Sequence, residues 1–324
     1  MATLLLSRRE VEQLLPLAEC IEAVQDGFLA LARGELMGPV VSALHASSGG
    51  FHFKAAGMGG YMAGKLNANF PGNPARGRPT IQGLVLLCDA EQGEPLGVFD
   101  STAITALRTA AATAVAARIL AREDARVATI VGCGAQSRAQ IRALNLVRPL
   151  ERVYTYDLVP LRAKKLAGEV GVELGIEMSA VSDLRSALSM SQICITCTPS
   201  QTPLICPGDV KLGTFVAAVG ADNGEKIEID PAVMAGSLVV PDLLEQAVRI
   251  GDLRHAIEGG FMTVSQVYAE LPDLVAGRMP GRTSEDQVFI FDSTGVAVQD
   301  VAAAALVYQR AVGKGVGRTI EFAA

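Results

Sequence analysis

The chain has 324 residues, half of them apolar, with 33 glycines and a mean hydropathy of +0.32. This length allows two domains with substantial cores, and the composition favours an α/β enzyme over a coiled coil or a disordered chain. The net charge of −6, with basic residues scattered among acidic ones, argues against nucleic acid as the main partner.

A membrane or secreted location is not expected. No apolar run reaches the roughly 18 residues that a membrane helix needs. The alanine-rich segment 103–121 comes nearest, but Arg108 and Arg118 interrupt it. Leu4-Leu5-Leu6 is too short for the core of a signal peptide, and charged residues follow it directly. We therefore expect a cytoplasmic protein without a membrane partner.

The cysteines and histidines do not form a metal site. Six cysteines in a cytoplasmic chain are expected to be free thiols. Cys194-Ile-Thr-Cys197 resembles half of a metal or redox site, but it has no second pair at zinc-like spacing and lies in an apolar run. We interpret these thiols as part of a buried strand and predict no metal.

The N-terminal third changes from helix to strand. Residues 7–34 have helical spacing of apolar residues, with a break or kink predicted at Pro16 and a stop at Gly34. From 38 to 100 the pattern is one of short β-like runs separated by glycines, of which 80–88 is the clearest strand.

A long helix and a βα alternation follow. Ser101 or Thr102 is placed to cap an alanine-rich helix that runs to about Ala121. Short apolar strands then alternate with helical or loop segments, a rhythm typical of a parallel, doubly wound α/β sheet. These strands are predicted at Val127–Val131, Arg152–Tyr156, Ile193–Thr198, Thr214–Val219, Ser237–Pro241 and Gln287–Phe291. Another alanine-rich helix is predicted from Thr294 to Val312.

This organisation predicts a Rossmann-type nucleotide-binding domain in the middle of the chain, at about 120–295. Residues 1–119 and 296–324 would then form a second, α+β domain from both chain ends.

A dinucleotide-binding turn opens the central domain. Gly132 follows the strand Val127–Val131 and permits a tight turn, while Gly134 lets a pyrophosphate approach the backbone at a helix N-terminus. Ser137 takes the third glycine position. Asp157 ends the next predicted strand, where an acidic residue binds the ribose hydroxyls. The pattern predicts a dinucleotide cofactor.

Asp157 also bears on the choice of cofactor. A carboxylate repels the 2′-phosphate of NADP, so we expect NAD. Arg162, Lys164 and Lys165 are near enough in sequence to leave NADP open.

Three stretches together resemble the ornithine cyclodeaminase/mu-crystallin family. They are Gly64–Asn73 with Pro79–Gly83, Ile104–Thr113 with the glycine turn, and Val219–Asp222 with Ser293–Asp300. The resemblance implies an NAD(P)-dependent protein acting on the C–N bond of an amino or imino acid. It also implies a homodimer formed through sheets of the terminal domain, and catalysis between the domains beside the nicotinamide.

The resemblance assigns roles to individual residues. Lys65 matches an active-site lysine, and Arg108 matches an arginine that binds the substrate carboxylate. Thr80 lies where a substrate-side hydroxyl is found, and Asp222 matches the carboxylate that handles the reacting amine or imine. Cofactor binding is assigned to Arg108, Thr109, Gly132, Gly134, Ala135, Gln136, Asp157, Thr198, Val219 and Gly220.

One departure from the family concerns a second substrate-binding arginine. Many relatives carry it after a proline, whereas here Pro39 is followed by Val-Val-Ser, and no arginine occurs between Gly34 and Arg76. Lys54 is a cation that would replace it, and His52 would lie on the same strand face. The departure makes ornithine a doubtful substrate.

Three reactions remain open at this point. In a dehydrogenase or imine reductase, hydride transfer changes the cofactor permanently, whereas a cyclodeaminase returns the hydride and releases ammonia. The missing arginine favours the net redox reaction. A carrier that binds a small ligand without turnover is disfavoured, because Lys65, Arg108 and Asp222 are all retained.

Overall fold

Contacts between residues divide the described chain, residues 2–322 of a computed structural model, into two units. The terminal unit contains residues up to Ala111 and from Val296 onward, and the central unit is Ala112–Gly295. The boundary predicted at 119/120 and the boundary at 111/112 fall in the same helix, and the division into functional domains stays a prediction.

The secondary structure begins with β1 (Ala2–Leu6), α1 (Arg8–Leu14), α2 (Leu17–Arg33), β2 (Met37–Ala46), β3 (Gly49–Met58), β4 (Tyr61–Asn69), β5 (Ile81–Asp89), β6 (Pro95–Asp100) and α3 (Ser101–Leu120). The central elements are β7 (Val127–Val131), α4 (Ser137–Val147), β8 (Arg152–Tyr156), α5 (Pro160–Leu174), β9 (Glu177–Ala180), α6 (Leu184–Met190), β10 (Ile193–Thr196), β11 (Gln201–Ile205), β12 (Phe215–Ala218), β13 (Ile227–Ile229), α7 (Pro231–Ala235), β14 (Leu238–Pro241), α8 (Leu244–Ile250), α9 (Asp252–Glu258), α10 (Leu271–Val275) and β15 (Phe289–Asp292). The chain continues with α11 (Ala297–Lys314) and β16 (Arg318–Glu321). Short 3-10 helices lie at Asn73–Arg76 and Val264–Gln266.

The terminal unit is built on a seven-stranded sheet in the order β16-β1-β6-β5-β4-β3-β2. All its pairings are antiparallel except that of β1 with β6. Side chains alternate between its faces: Phe53 and Leu66 are exposed in register on one face, whereas Lys54 and Lys65 are buried in register on the other. Helix α11 packs on β3 and β4, and Asp300 of this helix reaches Lys65, so α11 covers the lysine face.

The sequence predictions for this unit are confirmed in outline. The predicted helix is interrupted at Pro16, which separates α1 from α2, and Gly34 ends α2 with a left-handed φ of 72°. The predicted cap of α3 is wrong. The Asp100 carboxylate accepts the Ala103 N–H, whereas Ser101 is already helical and its hydroxyl donates to Asn67.

The central unit contains the predicted parallel, doubly wound sheet, in the order β14-β15-β12-β10-β7-β8-β9. All of its strand pairs are parallel. Strands β10, β12 and β15 are buried along their whole length, as expected of strands that helices cover on both faces. From β9 to β15 through β7, this is the strand order 3-2-1-4-5-6 of the Rossmann fold, with β14 added at the edge.

Helix α3 is the one described helix that is long and apolar enough to cross a membrane by length and composition alone. The sequence had predicted that Arg108 and Arg118 exclude a membrane helix at this segment. Of its most apolar window, 72% is buried inside the protein, as in the core helix of a soluble protein.

Candidate functional site

A buried cluster of charged side chains lies in the terminal unit. Lys65 Nζ and Arg108 Nε both donate to Oδ1 of Asp300, at 2.8 and 2.9 Å. Lys65 is 3% exposed and Asp300 1%. Lys54, also buried, lies in register with Lys65 and its charge acts on both Lys65 and Asp300. The structure thus brings together the three predicted substrate-binding cations around one carboxylate.

Secondary structure fixes each member of the cluster. Lys54 and Lys65 are directly opposed on β3 and β4, so their side chains leave the sheet on the same face. Arg108 lies on α3, and Asp300 lies in the first turn of α11, where the helix dipole favours an acidic residue. Arg108 is further oriented by Gln299, whose side-chain oxygen accepts from Nη1 at 2.7 Å.

The cluster perturbs the protonation of its members. Burial, followed by the charge of Arg108, lowers the pKa of Lys65 to about 7, even though Asp300 opposes this shift. Burial alone would raise the pKa of Asp300, but the charges of Lys65 and Arg108 outweigh it and hold that pKa below its ordinary value. Asp300 is therefore anionic at neutral pH, while Lys65 exchanges its proton near neutrality.

Two buried polar atoms at the cluster have no hydrogen-bonding partner among the described residues. They are Nε2 of Gln299, a donor, and Oδ2 of Asp300, an acceptor. Burying such atoms is costly unless a ligand or water satisfies them. Together with the cationic side chains of Lys65 and Arg108, they suit a small molecule that carries a carboxylate and a nitrogen group.

The other predicted residues of this unit lie on α3 and at the start of β5. Thr109 follows Arg108 on α3 and is buried. Thr80 is half-buried immediately before β5, and its carbonyl accepts the Phe70 N–H.

The glycine turn of the central unit has the geometry that the sequence predicts. Gly132 follows β7 with a φ of +93°, and a Cβ at this position would lie 2.6 Å from Cγ2 of Thr198. Both facts require glycine. A Cβ on Gly134, by contrast, would meet no atom within 4 Å, so the backbone there is open to a ligand. Ser137 begins α4, and its hydroxyl donates to the Gly134 carbonyl at 2.8 Å.

Asp157 lies next to this turn. Its two carboxylate oxygens accept the N–H groups of Cys133 and Val159, at 2.9 and 2.8 Å. Each oxygen retains lone-pair capacity for a further donor such as a ribose hydroxyl. The open backbone at Gly134, the start of α4 after Ala135 and Gln136, and this placed carboxylate together fit a dinucleotide.

The remaining predicted residues lie at the carboxyl ends of neighbouring strands. Thr198 follows β10, and Val219 and Gly220 follow β12, which pairs with β10. Asp222 lies two positions further along; its side chain is 45% exposed, and Lys226 Nζ donates to its Oδ1 at 2.6 Å.

Sequence reasoning gave no role to three buried residues of these sites. Asp300 and Gln299 lie in the last of the three stretches that resemble the family, but the resemblance of that stretch gave neither residue a role of its own. Glu228 lies between Ile227 and Ile229, and an acid between apolar residues of a strand was the available signal.

Of the two thiols predicted in one buried strand, Cys194 lies within it, whereas Cys197 follows the strand and is partly buried. Cys194 is buried within β10, and Cys197 Sγ donates to the Gly132 carbonyl at 3.0 Å. Among residues 2–322, no group of three or more His, Cys, Asp or Glu side chains has a geometry that would hold a metal ion.

The doubly wound sheet with its glycine turn defines a dinucleotide-binding protein, and its other unit contains a buried cluster of charged side chains. The sequence profile of the ornithine cyclodeaminase/mu-crystallin family matches residues 1–315. The chain belongs to this family, as its three resembling stretches predicted.

Some relatives are similar over nearly their whole length. Alanine dehydrogenase of Archaeoglobus fulgidus is 38% identical over 99% of each chain. A solved archaeal alanine dehydrogenase dimer with bound NAD superposes with a TM-score of 0.96 at 37% identity, covering 99% of this chain and 100% of the other. The Δ1-pyrroline-2-carboxylate reductase of Thermococcus litoralis, solved with NADH and L-proline, has a TM-score of 0.96 at 33% identity and 98% and 100% coverage.

Proposed function

We propose that the chain is an NAD-dependent enzyme that transfers hydride to or from the carbon of the C–N bond of a small amino or imino acid. The observation that carries this proposal is the cluster of Lys54, Lys65 and Arg108 around the single carboxylate of Asp300. Lys65 and Arg108 share one oxygen of a single carboxylate, which leaves positive charge for the substrate carboxylate.

The charge of each residue in the cluster determines its proposed role. Arg108, held by Asp300 and Gln299, and Lys54 bind the substrate carboxylate. Lys65 contributes to this binding when protonated, and its pKa of about 7 also lets it exchange a proton at neutral pH. Thr80 supplies a hydroxyl on the substrate side.

Asp222 manages the proton of the substrate nitrogen. When an amine is oxidised to an imine, the nitrogen loses a proton that a carboxylate can accept, and in the reverse direction the same group returns it. Bound NAD supplies the hydride acceptor, and NADH the donor.

Net redox chemistry is favoured over cyclodeamination. Alanine dehydrogenase and Δ1-pyrroline-2-carboxylate reductase are both named for reactions that change the cofactor. In the oxidative direction, amino acid, NAD⁺ and water would give 2-oxo acid, ammonium, NADH and a proton. In the reductive direction, an imino acid, NADH and a proton would give an amino acid and NAD⁺.

NAD is the cofactor, and it binds at the glycine turn. Gly132, Gly134, Ala135 and Gln136 form the turn that cradles the pyrophosphate, and Asp157 accepts from the ribose hydroxyls. Thr198, Val219 and Gly220 would bind the nicotinamide half, and the assignment of Arg108 and Thr109 to the cofactor rests on the family resemblance.

A homodimer in the cytoplasm completes the proposal. The face of the terminal sheet opposite the lysines exposes large apolar side chains, including Leu44, Phe53, Leu66 and Leu84. An apolar face of this kind marks an interface, and the solved archaeal relative is a dimer. We expect Leu66→Lys to convert a dimer to a monomer in light scattering; a wild-type monomer would contradict the proposal.

An absorbance screen at the NADH band tests the reaction. Purified protein is given NAD with a panel of amino acids, or NADH with cyclic imines or with 2-oxo acids plus ammonium. A net change in absorbance with one substrate class is the expected result. Ammonia and proline formed from ornithine without a net change would show a cyclodeaminase and overturn the proposed reaction. No turnover and no ammonia release, with tight binding of a small ligand, would indicate a carrier.

The role of Asp222 has its own test. Asp222→Ala should lower kcat by about 10²–10⁴, the range typical of acid–base groups, with little change in NAD affinity. A loss smaller than about tenfold would contradict this assignment.

A further inference from the structure

Glu228 connects two of the strand ends that carry predicted cofactor residues. Its side chain is fully buried, at 0% exposure, and its two oxygens accept four hydrogen bonds. Oε1 accepts from the N–H and the hydroxyl of Thr198, at 2.6 and 2.7 Å. Oε2 accepts from the Thr196 hydroxyl and the Gly220 N–H, both at 2.7 Å. One carboxylate therefore fixes the ends of β10 and β12 relative to each other.

The backbone around this carboxylate is packed closely. A Cβ on Gly220 would lie 2.2 Å from the Thr198 carbonyl oxygen and 2.6 Å from Cδ of Glu228. Only glycine fits there, and it leaves its N–H directed at the carboxylate. Asp222 lies two residues further along the same segment, so the position of the proposed proton-handling group depends on the same anchor.

Glu228 is itself held by other buried carboxylates. Oδ1 of Asp252 accepts the N–H groups of Glu228 and Ile229, at 2.7 and 2.9 Å. Asp292, at the end of β15, accepts the N–H groups of Asp252 and Leu253. A series of carboxylate-to-amide contacts thus runs from β15 through the start of α9 and β13 to the ends of β10 and β12.

The two backbone N–H groups among these donors require an acceptor oxygen on each side of Glu228. Burial raises its pKa above the ordinary value, while the bonds from Thr198, Thr196 and Gly220 oppose that shift. Four donors directed at two oxygens occupy the acceptor sites of a carboxylate, and a glutamine would present an N–H₂ group to one pair of them. Replacing the charge therefore breaks the arrangement without changing the shape of the side chain.

We propose that Glu228 is a positioning residue for the nicotinamide half of the cofactor site, acting through Thr198 and Gly220. In a doubly wound sheet of this strand order, the first half binds one nucleotide of the cofactor and the second half binds the other. The glycine turn and Asp157 lie in the first half, with β7, β8 and β9. Thr198 and Gly220 follow β10 and β12 of the second half. The inference rests on the proposed NAD binding and is independent of the substrate.

The test compares a whole cofactor with a fragment that lacks nicotinamide. Affinities of Glu228→Gln for NADH and for ADP-ribose are measured by isothermal titration calorimetry. We expect the NADH dissociation constant to rise by about tenfold or more, because hydrogen bonds to a charged group are lost, and the ADP-ribose constant to change by less than about twofold. A loss of general structure would weaken both ligands equally and would overturn the proposal, as would two unchanged affinities.

Two further variants keep the comparison decisive. Asp209→Asn removes another largely buried carboxylate of the central unit, one that accepts from Cys206 N and Arg185 Nε, and should lower the melting temperature without changing either affinity. A selective loss of NADH affinity in this control would also overturn the proposal.

Thr196→Val, which removes one donor to Glu228, should weaken NADH binding by about threefold and leave ADP-ribose binding unchanged. It decides the question if Glu228→Gln does not fold. Since no amino acid enters these measurements, failure of the proposed reaction would not affect them.

Discussion

Asp300→Asn removes the negative charge between Lys65 and Arg108 while keeping the shape of the side chain. All three side chains are buried, at 2–6% exposure, so water cannot replace the lost charge. Breaking a buried ion pair by removing one partner costs about 3–5 kcal/mol. Lys65 can release its proton because its pKa is already about 7, so we place the loss at about 3 kcal/mol near pH 6. This is a large part of a typical free energy of unfolding of about 5–15 kcal/mol.

The same reasoning gives the direction of the pH dependence. Without the carboxylate, the pKa of Lys65 in the folded protein falls further below its value in the unfolded chain. A lysine whose pKa is lowered by folding makes the folded protein more stable as pH rises above that lowered pKa. The variant gains this stability at a lower pH than the wild type, whose Lys65 titrates near 7. The difference in unfolding free energy between the wild type and Asp300→Asn should therefore become smaller from about pH 5.5 to pH 8. It should narrow again in acid, because Asp300, with its lowered pKa, contributes stability that is lost when it is protonated.

Urea unfolding followed by circular dichroism measures both effects. Glu19→Gln is the matched control, because it breaks the ion pair of Arg310, which also lies on α11 but is partly exposed. An exposed pair is worth about 0–1 kcal/mol, so the control should remain close to the wild type. If Asp300→Asn changed the unfolding free energy by less than about 1 kcal/mol near pH 6, the cluster would not be the buried ionic site that the structure describes.

Three further predictions concern cofactor and substrate. Gly134→Ala should leave the melting temperature unchanged because its Cβ meets open space, but it should weaken NAD binding at least about tenfold by obstructing the pyrophosphate. Gly132→Ala should lower the melting temperature because φ is +93° there. Equal losses of melting temperature in the two variants would contradict this distinction. The affinity of the NADH-bound enzyme for a 2-oxo acid inhibitor should fall as pH rises through about 7, since the cationic form of Lys65 exists below its pKa. Lys65→Met should flatten this profile, and an unchanged slope would exclude Lys65 as its source. Asp157→Ala should reduce the preference for NAD over NADP in calorimetry, and an unchanged ratio of affinities would refute the ribose contact.

Local patterns were sufficient to predict six of the seven strands of the central sheet. Each strand of a parallel sheet is a short apolar run, and the glycine turn after β7 gives the first strand and the cofactor together. The predicted strands end within two residues of the observed ones, as Thr198 and Pro241 illustrate. Strands such as β9 and β16 were missed because they are short and partly polar, so their pairing depends on neighbours and not on their own residues.

The candidate site was less accessible to sequence reasoning. The pairing register of β3 and β4 places Lys54 and Lys65 on one face. The sequence does not say that this face is buried, and isolated charged residues are usually exposed. The role of Lys65 was proposed from the family resemblance, and that of Lys54 as a replacement for the missing arginine. The partner of Lys65 in the cluster, Asp300, lies on α11 and is 235 positions along the chain, so the local sequence does not reveal this environment.

Asp300 and Glu228 share a physical feature that suggests how such residues can be found. Each lies in an apolar segment, Val298-Gln-Asp300-Val301 and Ile227-Glu228-Ile229, and apolar neighbours on a strand or packed helix predict burial. A buried carboxylate is stable only with charged or N–H partners, so its presence predicts partners that the local sequence does not contain. For Asp300 these are distant cations, and for Glu228 they are the ends of two strands. In both cases the buried acid arranges the groups proposed to meet substrate or cofactor, which makes an acid inside an apolar run a better guide to a site than an exposed charge.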